Sequence, residues 1–169
     1  MALSAERVVE AALHLLQEYG LQDVSMRRIA ATLDVKPGAL YYHVPNKQQL
    51  LHLVAQRALA PLHGSAATPA ELMAEFRHLL LQLRDSGDLM LIAYPLEHDL
   101  PPVPELEVSL RRQGFTPEDA AERAQLLVRS ALGAIALEQN ARLFGREDPT
   151  GGQLYTKTMQ LLLRQDTTI

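Results

Sequence analysis

Apolar residues return every three or four positions along this chain, and the alternation that marks a half-buried strand is nearly absent. Val8, Ala12, Leu15, Leu16 and Tyr19 fall on one stripe that Gly20 ends, which predicts a helix over residues 4–19. Ser25 can cap a short helix whose inward face is Ile29, Ala30 and Leu33. Asp34-Val35-Lys36 is polar except for one plug residue, and Pro37 then opens a second short helix, since a proline in the first turn sacrifices no hydrogen bond. A further helix starts at Asn46, whose side chain caps it while Gln49 reaches back. It continues through Leu50, Leu53, Val54 and Ala58 to a break at Pro61.

The same capping logic recurs downstream. Thr68-Pro69-Ala70-Glu71 and Thr116-Pro117-Glu118-Asp119 each combine a cap hydroxyl, a first-turn proline and an acid beside the positive end of a helix. The first predicts a helix to about residue 84, stopped by Ser86-Gly87; the second predicts a long one to about Phe144, stopped by Gly145. Between them lie a short helix near 89–94, a proline-rich corner at 101–104 and a helix over 105–113; a last helix covers 153–164. The chain therefore reads as all-α, with about nine helices. Residues 126–137, LLVRSALGAIAL, are apolar on nearly every face and demand burial on several sides. Ser130, Gly133, Ala134 and Ala136 allow close helix approach, while Leu127, Leu132, Ile135 and the leucines at 161–163 supply bulk. Two explanations stay open, an intradomain core or pairing with a second subunit.

Two short helices joined so tightly must cross at an angle, which is the spacing of a helix-turn-helix. Charge adds to this picture. The whole chain carries a formal net charge of −4, yet from residue 25 to 47 the cations Arg27, Arg28, Lys36 and Lys47 face Asp34 alone. At 169 residues and 47% hydrophobic, one or two small domains with a real core are expected. The absence of cysteine excludes a disulfide framework and thiolate chemistry, and fits a reducing cytoplasm. Glu6, Arg7 and Glu10 interrupt any secretory pattern, and the longest nearly uncharged run, 124–137, is too short to span a bilayer, so a soluble, cytoplasmic protein is expected. No nucleophile elbow, phosphate loop or HExxH occurs, and Gly151-Gly152 follows no strand and reads as loop, so no enzyme is expected. The six histidines show no i, i+4 pairing, so neither metal nor cofactor is expected.

The stretch GALYYHVPNKQQLL from Gly38 to Leu51, with its aromatic pair, histidine and Asn46-Lys47 helix start, resembles the DNA-binding domain of the TetR family of one-component transcriptional regulators; the likeness covers about the first 55 residues. It implies a helix-turn-helix domain over 1–47, a connecting helix over 48–60, and a ligand-binding and dimerisation domain over 61–169. It also implies a homodimer on a palindromic double-stranded DNA operator, usually a repressor released by a small-molecule effector, with no membrane partner. In this pose Ser25 and Arg27 stand at the start of the first short helix, with Arg27 set for a bidentate contact to guanine and Arg28 sharing that role or meeting phosphate. Pro37, Gly38 and Ala39 let the second helix approach thymine methyls, Tyr41 touches base or sugar, and Lys36, Tyr42, His43 and Lys47 hold phosphates. The bland alternatives are packing roles for the two tyrosines, a solvated Arg28 and a capping His43. A helical interaction module that keeps the shape but binds proteins is the competing function, and it would not need the basic tip.

In that family the helices behind the DNA-binding domain surround an effector cavity, and the last two long helices form a four-helix dimer interface. The residues this places at the effector are His63, Met73, Phe76, Arg77, Leu91, Tyr94 and Glu138, with His78, Leu80, Leu83, Met90, Glu97, His98, Gln139 and Asn140 as further lining. Those it places at the dimer interface are Leu127, Ser130, Ala131, Ala134, Leu154, Met159 and Leu162. Residues 106–138, with RRQGFTPEDA in their middle, are also similar to the tetracycline-repressor branch. There Leu91 stands where that branch has a histidine holding a magnesium-bound drug, so a chelated metal is not expected.

Overall fold

The computed structural model describes residues 2–97 and 99–164, and among them it contains nine α-helices. Helix α1 (Ala5–Tyr19) is capped by the Ser4 hydroxyl, which accepts the Arg7 N–H, and buries Val8, Ala12, Leu15 and Leu16. Tyr19 leaves that stripe: it is exposed, and its ring carries the Arg28 guanidinium 4.4 Å from the centroid. After a short 3-10 turn, α2 (Met26–Thr32) is capped by Ser25, α3 (Pro37–Leu40) opens on its proline, and α4 (Lys47–Leu59) is capped by the Asn46 side chain, which accepts the Gln49 N–H at 2.8 Å. Ile29, Leu40 and Val44 close the small core beneath α2 and α3, with Leu33 half-buried at its edge.

Helix α4 packs on α1 at one side and on α6 at the other, which makes it the connection between the two ends of the molecule. Its buried face is Leu50, Leu51, Val54, Ala55 and Leu59, together with His52. Leu53 and Ala58, expected on that face, are half-buried, at the margins of the arc that packing on α1 and α6 turns inward.

The C-terminal part consists of α5 (Pro69–Leu81), α6 (Ser86–Ala93), α7 (Val103–Arg112), α8 (Pro117–Leu143) and α9 (Gly151–Leu162). The Thr68–Glu71 capping box and the Thr116 cap stand as expected from sequence. Ser86-Gly87 does not stop α5, which ends at Leu81; it is the buried first turn of α6. The glycine is needed for contact rather than for termination, since a Cβ on Gly87 would lie 3.0 Å from the Ala136 Cα of α8. Helix α7 begins at Val103 instead of Glu105, with Pro104 in its first turn, and α9 takes in Gly151-Gly152 instead of leaving them as loop. Helix α8 buries Ala120, Ala124, Leu127, Val128, Ala131, Leu132, Ile135 and Glu138 against its neighbours. Its opposite side, with Leu126, Gly133 and Leu137, stays open in the single chain, so the burial expected on several sides is only partly met within one protomer. No helix among the described residues is long and apolar enough to cross a membrane.

Candidate nucleic-acid interface and sensor residues

The turn between α2 and α3 reverses through Asp34 at φ 53, and the Val35 N–H returns to the Ala30 carbonyl at 2.9 Å, so α3 projects as a short knob with its first turn in solvent. On that knob Lys36, Pro37, Gly38, Tyr41, Tyr42 and His43 are exposed, Tyr42 at 91%, and Ala39 is half-buried. Arg27 is exposed beside them, and Lys47 opens α4 next in line. Exposure at 91% leaves Tyr42 little packing role, whereas Tyr41, at 49%, keeps about half of its surface covered. Ser25 serves locally, accepting the Arg28 N–H at 3.2 Å.

Arg28 departs from its expected role. Its guanidinium pairs with Asp23 and lies on the Tyr19 ring, toward α1 rather than toward the knob. The spacing that makes Arg27 and Arg28 look equivalent hides a turn of about 100° between successive helix positions. Arg27 faces out and Arg28 faces back.

The expected effector residues do not share one cavity. Met73 and Phe76 are fully buried in the core, where Leu80 and Met90 also pack. His63 has 81% of its side chain in solvent and lies 3.5 Å from Glu105, and Leu91 is exposed on α6. The Tyr94 hydroxyl donates to the Pro101 carbonyl at 2.5 Å, and burial beside the Glu105 carboxylate pushes its pKa up. His98 lies outside the described residues. Arg77 and Glu138 meet: the guanidinium is 2.5 Å from one Glu138 oxygen, Arg142 is 2.7 Å from the other, and Arg77 stacks over Tyr155 at 5.4 Å. Tyr155 donates to the Met73 carbonyl at 2.6 Å, and burial raises its pKa. Beside this cluster a groove of about 220 Å³ opens between α5 and α9, walled by Arg77, Tyr155, Thr156 and Met159. Arg77 and Arg142 supply the partners that the burial of Glu138 requires in the single chain.

Among the expected dimer residues, Leu127, Ala131 and Met159 are buried inside the protomer and are corrected to its core. Ser130, Ala134 and Leu162 are half-buried, and Leu154 is exposed. Exposed apolar side chains on α8 and α9 include Leu126, Leu137, Leu143, Leu154 and Leu161, Leu137 at 73%. Sequence pattern missed Leu126 and Leu137 because a helix apolar all round gives no phase. It also missed buried His52, whose Nε2 lies 2.7 Å from Glu97, and Asp85; a lone histidine in LLHLV is the one signal for the former.

With this geometry in hand, residues 8–54 match the model of the bacterial regulatory proteins, tetR family. The chain is 33% identical over 149 residues to the tetracycline repressor protein class E of Escherichia coli, covering 81% of this chain and 69% of that protein. Among solved structures, that of BioQ with its double-stranded DNA operator superposes with a TM-score of 0.79 at 27% identity, covering 97% of this chain and all of that one. A single-substitution variant of TetR from Acinetobacter baumannii AYE, in complex with minocycline, gives 0.82 at 25% identity, covering 95% of this chain and 94% of that one.

Proposed function

The chain belongs to the tetR family of bacterial regulatory proteins, and we propose that its exposed α3 knob is the element that enters the major groove of an operator. The protein is a ligand-responsive DNA-binding transcriptional repressor that acts as a homodimer. The observation that carries the assignment to this knob is the set of exposed cations and aromatics on a tip whose interior is already closed by Leu40 and Val44. In this reading Arg27 reads a base edge, Pro37, Gly38, Ala39 and Tyr41 allow close approach, and Lys36, Tyr42, His43 and Lys47 hold phosphates, while Ser25 and Arg28 shape the motif from behind.

One such knob touches few bases, and two held about 34–36 Å apart by a symmetric dimer require a palindromic site. The face we assign to the dimer is the open side of α8 and α9, Leu126, Ser130, Gly133, Ala134 and Leu137 with Leu154, Leu161 and Leu162. The division at residues 47 and 60 puts α4 between reader and sensor. An effector that favours one placement of α4 changes DNA affinity by its differential affinity for the two states. Arg77, Tyr94 and Glu138 remain the sensor residues in this reading; a chelated tetracycline is not proposed, since Leu91 supplies no metal ligand. The family is one of regulators, and no catalytic role is assigned to this chain. Selection of bound DNA from a random pool tests the reading, with sedimentation at micromolar concentration alongside. A selected palindrome and a dimer are the expected results; recovery of no sequence would return the helical interaction module.

A further inference from the structure

The C-terminal helices touch the DNA-binding segment through α4 and also through a separate polar contact. Asp85, in the turn between α5 and α6, extends a carboxylate oxygen that accepts the Leu21 N–H at 2.8 Å. Leu21 begins the 3-10 turn that leads in four residues to the Ser25 cap and in six to Arg27. The approach is close: a Cβ on Gly20, which sits at φ 90, would come within 2.5 Å of that same oxygen. Arg84 adds a donor to the Glu18 carbonyl at 3.2 Å, so consecutive residues of one turn grip both sides of the α1 terminus.

The turn holding Asp85 is itself clamped to α8. The Gln139 side chain donates to the Leu83 carbonyl at 2.8 Å and accepts the Gly87 N–H at 2.9 Å, and Ser86 donates to the Leu80 carbonyl at 2.6 Å. Gly87 lies directly on the Ala136 backbone, one turn from Gln139 on the same face of α8. Asp85 has φ 49, a left-handed conformation that costs a non-glycine residue energy. If the position served only to turn the chain, glycine would serve better. Asp85 precedes α6 without making a side-chain cap to it, and its carboxylate reaches the Leu21 N–H instead.

We propose that Asp85 is a positioning residue for DNA recognition: it sets the start of the recognition motif by holding the Leu21 N–H, and Gln139 ties that setting to the position of α8. This rests on the DNA-binding reading above and names a second mechanical link for it, independent of α4. The residue touches no DNA.

The test uses the full chain and the DNA that the unaltered protein selects, with Asp85→Gly and Asp85→Asn compared for operator affinity, thermal midpoint and hydrogen exchange at the Leu21 amide. Asp85→Gly sheds the left-handed strain but leaves the Leu21 N–H without its acceptor, so it should melt close to the unaltered protein, yet bind its operator about ten-fold more weakly with faster exchange at Leu21. Asp85→Asn keeps an oxygen acceptor and tolerates the conformation, so its affinity should stay within about two-fold of the unaltered protein. Unchanged affinity in Asp85→Gly would overturn the proposal by showing that the residue only shapes the turn. Equal losses in both variants would overturn it too, by removing the hydrogen bond as the cause. If the unaltered chain selects no DNA, the reading beneath the proposal falls, a result separate from either of these.

Discussion

The knob around α3 and the interior of the C-terminal helices use polar side chains in opposite ways. On the knob, Arg27, Lys36, Tyr42 and Lys47 stand in solvent, and among the described residues none is engaged by a protein partner. Inside the C-terminal helices, Glu138 is held by two arginines, Gln139 by the α5–α6 turn, Tyr94 by Pro101 and Tyr155 by Met73. Free polar groups cost the fold little and are available to a partner; locked ones fix which helix packs where and are costly to disturb. The knob is therefore built to be altered without unfolding, and the C-terminal interior is not.

The sharpest way to break this contrast is Phe76→Ala, which should cost about 3–5 kcal/mol in denaturant unfolding because the ring is fully buried. A loss below about 1 kcal/mol would mean slack space there, and the locked core would be wrong. Arg27→Ala should leave the unfolding midpoint alone and cost about 1–3 kcal/mol of operator affinity in each half-site, read by fluorescence anisotropy. Normal affinity would remove it from the reading set. Leu137→Glu belongs to the open face: folding should survive while the dimer weakens by about 1.5–3 kcal/mol per leucine, seen by sedimentation.

Smaller effects sharpen the comparison further. Lys47→Ala should weaken all DNA sequences alike and lower the salt slope by about one; an unchanged slope would exclude a phosphate contact. Glu71 is exposed, and its pKa is lowered from 4.5 by hydrogen bonds from the Thr68 backbone and hydroxyl. Its contribution to the α5 cap is thus complete above the ordinary carboxylate value and lost as pH falls through the lowered one. Glu71→Gln should flatten that small acid limb of stability without changing DNA binding.

Much of this contrast was visible in the sequence, unevenly. The knob was legible because its evidence is compact: capping serine, turn, first-turn proline and aromatic pair fall within 23 residues, and the resemblance lies on them. Arg28 is less legible there, because its partner Asp23 and its stacking ring Tyr19 come from outside the pattern. Among the C-terminal helices, Arg77 and Glu138, which the resemblance places at the effector, bond each other in the single chain. His63 and Leu91 pointed outward instead, since hydropathy does not say which side of a loop or short helix faces a cavity.

The sequence by itself determined what local geometry controls. Ser4, Ser25, Asn46, Thr68 and Thr116 each reach a backbone N–H three residues on, a contact written within one turn of chain, and the helix starts followed from them. Tertiary structure alone decided which face of the uniformly apolar α8 turns inward, that Arg77 meets a carboxylate 61 positions away, and that Asp85 reaches Leu21 across 64. Those contacts arise only when separate helices pack. Helix α8 has no polar face in residues 126–137 to break the tie, so its phase comes from neighbours that no local pattern describes.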